Sequence, residues 1–111
     1  MKATDLEKLN AYLGEWDDAK VFINKYSDVH DQLILGLARS REEADQVGIS
    51  FFYCTYVAGP VRWDGAKLRA KAFVSPQGDE GFEIYDERAG FVVRCLDSVI
   101  VGDNKLVVPQ R

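Results

Sequence analysis

The chain has one histidine, His30, set between carboxylates in Ser27-Asp28-Val29-His30-Asp31. An imidazole flanked by aspartates has the makings of a metal or acid–base cluster. The same five residues also spell a polar turn, in which Asp and Ser side chains bond their own backbone, and we read them that way. The carboxylate pairs Asp17-Asp18, Glu42-Glu43 and Asp86-Glu87 are sequence neighbours in or near turns. Neighbours in an extended chain point to opposite sides, so none makes a converging acid–base pair. A pair assembled from distant segments stays open. No Gly-x-Ser-x-Gly elbow, phosphate-binding loop or His-Glu-x-x-His pattern is present. The expectation is a binding protein without catalytic residues, metal or cofactor.

Two other constellations suit binding. Lys67, Arg69 and Lys71 share one face of a predicted strand, close after Arg62-Trp63. A strand face with cations and aromatics can stack bases. Here the predicted partner strand supplies Glu83 and Glu87, which turns the ridge into a cross-strand charge ladder, and no nucleic-acid partner is expected. The aromatic residues Trp16, Tyr53, Tyr56, Trp63 and Tyr85 are the better candidates, since Tyr and Trp join a large apolar area to a polar handle. Trp16, Phe51 and Phe52 are assigned to the core. Tyr56 and Trp63 stay open between core and interface, because Gly59-Pro60 puts them near the rim of a sheet. The candidate binding residues are therefore Tyr56, Arg62 and Trp63, with the acidic Asp17, Asp18, Glu42 and Glu43.

The elements that must position these residues belong to a chain of 111 residues, 47% hydrophobic and 29% charged. That length and balance suit one globular domain, spanning 1–111, whose core needs no disulfide or metal staple. The first ten residues lack the apolar core of a signal peptide, and no stretch is long and apolar enough to span a bilayer, so a cytoplasmic location is expected. Cys54 and Cys95 then read as buried thiols; they can pair if their strands are neighbours, but nothing in their spacing demands it. The net charge is −4, and the first 55 residues carry all of it. Such a surface repels nucleic acid and membranes and steers basic partners.

Thr4-Asp5-Leu6-Glu7 is a capping box, and Leu6, Leu9, Leu13 and Trp16 recur near helical spacing. One amphipathic helix is predicted from residue 5 to 13, with Gly14 as its stop. Lys20–Tyr26 and Gln32–Ala38 form a predicted hairpin. Ser40–Gln46 is a loop or a single helical turn, with Ser40 and Glu43 as a potential second capping box. Further strands cover Ile49–Val57, Leu68–Val74, Phe82–Tyr85, Phe91–Val101 and Lys105–Val108, separated by turns at Gly59-Pro60, Asp64-Gly65, Ser75–Gly81, Ala89-Gly90 and 102–104. Pairing Val74 with Phe82 and Ala72 with Ile84 sets apolar against apolar. Asp97-Ser98 marks a bulge in the long strand.

The Ile49–Val57 run is apolar on both faces. It is predicted to be central, with Ile49, Phe51 and Tyr53 in the main core. Phe52, Cys54 and Tyr56 then face the helix or a binding surface. The fold class is α+β: one N-terminal helix and about seven mainly antiparallel strands, as a sandwich, a roll or a partly open barrel.

The order of short helix, Trp16-Asp17-Asp18-Ala19, Asp-rich hairpin, apolar strand with Cys54, Gly59-Pro60 with Trp63, and Gly90-Phe91-Val92-Val93-Arg94-Cys95 resembles a group of small bacterial β-rich proteins. Some of them are immunity proteins of polymorphic toxin systems. Their lead-in is His-Asp-Ala or Trp-x-Asp-Ala. The resemblance implies a protein that binds and blocks a toxin, and an acidic first half fits a basic toxin domain. Two other readings stand beside it. One is a small-ligand carrier or enzyme with a pocket lined by Tyr53, Tyr56, Trp63 and Tyr85. The other is a homodimer formed across the aromatic sheet face.

Overall fold

The computed structural model describes residues 3–42, 45–96, 98–101 and 106–108, the last three by their backbone alone. Helix α1 (Ala3–Glu15) opens the chain. Among the described residues ten strands follow: β1 (Lys20–Ser27), β2 (Gln32–Ala38), β3 (Gln46–Phe51), β4 (Cys54–Ala58), β5 (Arg62–Trp63), β6 (Arg69–Val74), β7 (Glu80–Asp86), β8 (Phe91–Cys95), β9 (Val99–Val101) and β10 (Leu106–Val108). They form a six-stranded sheet in the order β10-β9-β3-β2-β1-β5 and a four-stranded sheet in the order β4-β8-β7-β6. Every pairing is antiparallel and the two sheets do not close into a barrel. The fold is thus α+β. Among the described residues no helix is long and apolar enough to cross a membrane.

Ten strands replace about seven because two predicted runs are each divided between the sheets, and because the short β5 pairs with β1. The Ile49–Val57 run leaves the large sheet after Phe51 and joins the small one at Cys54. Tyr53, at φ 54°, makes the corner. The run from Phe91 does the same in reverse, leaving the small sheet after Cys95 and entering the large one at Val99. The two corners are tied together. Phe52 N–H donates to Ser98 O at 3.2 Å, and Leu96 N–H donates to Tyr53 O at 3.1 Å.

The corner corrects the predicted faces. Ile49 and Phe51 are buried as expected, but the left-handed residue shifts the alternation by one. Tyr53 is therefore 41% exposed and Cys54, not Tyr53, continues the core. The first half of the run is central, between β2 and β9, while the second half is an edge.

Helix α1 is longer than predicted at both ends. It passes through Gly14, and the left-handed position falls on Asp18, at φ 70°. Leu9 and Leu13 are fully buried. The helix lies on β6, where the Asn10 amide completes a strand-like pair: Nδ2 donates to Ala70 O at 2.9 Å and Ala70 N–H donates to Oδ1 at 2.7 Å.

The β6–β7 register also differs, by two residues. Lys71 faces Glu83, Ala72 faces Phe82 and Val74 faces Glu80. The faces are those predicted, because a shift of two preserves alternation. The turn decides the count: Ser75 N–H donates to Asp79 O and Gly78 N–H to Ser75 O, both at 2.9 Å, closing a tighter loop than assumed. Between the sheets Phe51, Phe82 and Phe91 pack with Leu33, Leu35, Leu37, Ile49 and Ile84. Each contributes on the order of 1.5–3 kcal/mol by leaving water. Gly81 is pressed on this packing, since a Cβ there falls 2.3 Å from Cys95 O.

Candidate functional site

The core is not sealed along β4. Among the described residues β4 pairs with β8 alone, so its other side ends the small sheet. Across from it, β1 has a bulge between Ile23 and Lys25 and meets β5 only at Val21 and Phe22. The gap between them is an open groove of about 320 Å³. Ile23, Tyr26 and Leu33 line it from the large sheet, and Cys54, Thr55, Tyr56 and Val57 from β4. Tyr26, Tyr53, Tyr56 and Val57 are all exposed, an unusual density of apolar surface for so short a stretch. β4 itself carries no charge and no proline, the devices that ordinarily protect a sheet edge.

Among the described residues, three of the four non-glycine residues at positive φ meet here: His30, Asp31 and Tyr53, at 60°, 44° and 54°. Each such conformation costs on the order of 1–3 kcal/mol and persists only where its surroundings impose it. They brace one another. Tyr53 N–H donates to His30 O at 2.8 Å, and the Tyr53 hydroxyl lies 2.8 Å from His30 Nδ1 with the rings edge to face. The Tyr26 hydroxyl donates to Asp31 Oδ1 at 3.2 Å. Loss of hydration and then the Asp31 carboxylate raise the Tyr26 phenol above its ordinary value. His30 is thus a ring partner for Tyr53 at an acidic rim. Among the described residues no three of His, Cys, Asp and Glu gather as a metal would require.

Tyr56 is held from the outer face of the small sheet. The Arg94 guanidinium lies between the Tyr56 and Phe73 rings, 4.8 and 4.5 Å from their centres. Glu83 fixes Arg94 through a 2.8 Å bond to Nε and meets Lys71 at 3.2 Å. Burial by itself raises the Glu83 carboxyl, but the bonds from Arg94 and Lys71 outweigh it and keep it below its ordinary value. The charge ladder expected from sequence therefore exists at Lys71, whereas Arg69 and Lys67 turn instead to Asp17.

The chain matches no protein-family model, no curated protein and no solved structure.

The candidate residues separate into two groups. Tyr56 lines the groove and is 47% exposed. Arg62 is exposed on β5, opposite Phe22. Trp63 is engaged: its indole Nε1 donates to Asp86 Oδ2 at 2.8 Å and its ring lies against Phe91. Asp86 is fully buried and also accepts Lys67 and Ala89 N–H, so it pins the β5–β6 loop to the end of β7. Asp17 takes a bidentate pair of bonds from Arg69, at 2.9 and 3.0 Å. These bonds hold its carboxyl below the ordinary value against the opposing effect of burial. Asp18 is exposed and donates its N–H to Ala66 O, as part of the turn after α1. Glu42 is exposed in the loop before β3. Glu43, Asp97 and the turn at 102–104 lie outside the described residues.

Of the four rings expected to share a pocket, Tyr56 alone lines the groove. Tyr85 lies under Lys71 beside an open depression on the outer face, and Trp63 is packed on Phe91. Sequence reasoning missed Ile23, Tyr26, Leu33 and Val57, and it treated Asp31 as turn chemistry alone. These residues become neighbours only when the two sheets face each other.

Proposed function

We propose that the chain is a non-catalytic, cytoplasmic binding protein that takes up an extended segment of a protein partner along β4. The observation carrying this reading is an unprotected strand edge beside an apolar groove. A peptide laid on such an edge satisfies its backbone by strand addition, and alternate side chains enter the groove. Tyr56 supplies a ring already positioned by Arg94, and positioned aromatics make effective binding anchors. Asp28 and Asp31 at the rim, with the acidity of the first half, favour a segment with basic residues beside its apolar anchors. Blocking a basic toxin domain, as the resemblance to immunity proteins implies, is one role such a surface would serve.

Selection of random peptides on the full-length protein tests this reading. Selected binders are expected to shift NMR resonances of β4 and of Tyr26, and to lose at least about tenfold in affinity on Val57→Asp or Tyr56→Ala, a change of about 1.4 kcal/mol. Binders that map elsewhere, or that ignore both substitutions, would overturn it. Light scattering separates the homodimer: a dimer abolished by Val57→Asp would make a second copy the occupant of β4.

A further inference from the structure

Cys54 and Cys95 face each other where the two sheet-crossing segments meet. They are register partners in the β4–β8 ladder, and their sulfurs lie 3.4 Å apart. The bond from Leu96 N–H to Tyr53 O, one residue along, makes theirs a non-hydrogen-bonded pair, the narrow kind in which opposed Cα atoms lie about 4.5 Å apart. That separation falls inside the range a disulfide spans, and the sulfurs need to close by only about 1.4 Å to bond. The two thiols differ in access. Cys54 lines the groove and is 9% exposed, whereas Cys95 is 1% exposed.

We infer that Cys54 and Cys95 form a reversible disulfide site in the folded protein, with Cys54 as the attacking thiol and Cys95 as the resolving one. The oxidant is a small disulfide such as oxidised glutathione, admitted through the groove. The Cys54 thiolate attacks one glutathione sulfur; the glutathione S–S bond breaks, a mixed disulfide forms on Cys54, and one glutathione thiolate leaves. Cys95 then gives its proton to solvent and attacks Cys54 Sγ; the mixed bond breaks, the Cys54–Cys95 bond forms, and the second glutathione leaves. Two protein thiols are oxidised by two electrons and one disulfide is reduced to two thiols.

The electrostatics agree with this division. The bond received from Cys95 holds the Cys54 thiol below its ordinary value, which favours the thiolate. Donating that bond, and burial, push Cys95 up, so it keeps its proton while Cys54 is the anion. Once Cys54 is capped, the bond and the negative charge that restrain Cys95 are gone.

The test is incubation of the native full-length protein with oxidised glutathione, followed by acid quench, intact mass and thiol titration. The wild type is expected to lose both thiols, to lose two hydrogens in mass and to retain no glutathione. Cys95→Ser should instead accumulate one glutathione on Cys54, and Cys54→Ser should keep its thiol. The native wild type should also react faster than the same chain in urea, a comparison that holds even if a variant folds poorly. Retention of both thiols by the native wild type, a stable glutathione adduct on it, or reaction of Cys54→Ser as fast as Cys95→Ser would each overturn the inference. No partner is present in this experiment, so its outcome is independent of the proposed role of β4.

Discussion

The two edges of the four-stranded sheet are treated in opposite ways. At β6 the edge is occupied where the strand begins: Asn10 of α1 supplies a donor and an acceptor to Ala70, and Asp17 ties down Arg69. At β4 nothing in the described structure takes the place of a next strand, and the apolar side chains of Tyr56 and Val57 are exposed. One polar side chain shaped like a peptide group closes the edge at Ala70. The difference locates a surface available to a partner, since β4 keeps backbone groups on its free side that a second chain can satisfy.

Substitutions should separate the closed edge from the open one. Asn10→Ala removes both bonds to Ala70 and leaves a part-buried N–H and C=O without their partner, so unfolding in urea should show a loss of about 3 kcal/mol. A loss under about 1 kcal/mol would mean that water replaces the amide and that the two edges are less different than they look. Trp63→Phe keeps the ring on Phe91 but takes one donor from the fully buried Asp86, and should cost about 2 kcal/mol by the same measurement.

Asp17 sharpens the comparison through pH. Its folded carboxyl lies below its ordinary value of 3.8, so it contributes stability above that value, and the contribution is lost as pH falls through the lower folded value. Glu83 acts in the same sense. Asp17→Asn should cost about 1 kcal/mol near neutrality, with its ion pair half-exposed, and should lose less stability than the wild type between about pH 5 and 2. Identical acid titrations of stability for the two would show that the pair contributes nothing. The smallest effect is expected at the open edge, where Tyr56→Ala should change stability by less than about 0.5 kcal/mol. That near-neutrality is what makes its effect on peptide binding interpretable.

The candidate site was legible only in part. Tyr56 stood out because a tyrosine before Gly59-Pro60 must lie near the end of a strand, and the structure puts it on the groove. Trp63 stood out for the same reason, yet its indole is taken by Asp86, some twenty residues further along the chain. An aromatic residue type announces a large contact area without saying whether the chain's own core or a partner supplies the other surface. Asp17 misled in a similar way: its charge was visible, but the arginine that neutralises it is 52 residues away.

Local chemistry determined what lies within reach of a few residues. The spacing of Leu9 and Leu13 set the buried face of α1, alternation set the β1–β2 hairpin, and Gly59 and Gly65 took the positive φ that their turns require. Tertiary structure decided the rest. A continuous β-branched and aromatic run carries no mark of where it changes sheets, so the corner at Tyr53 came from the packing of both sheets. Alternation repeats every two residues, so it could choose the face of β6 but not its register, which the Ser75–Asp79 turn settled. The same limit governs the site. The groove and the Cys54–Cys95 pair lie where two distant runs bend side by side, and sequence alone carries no local signal for that encounter.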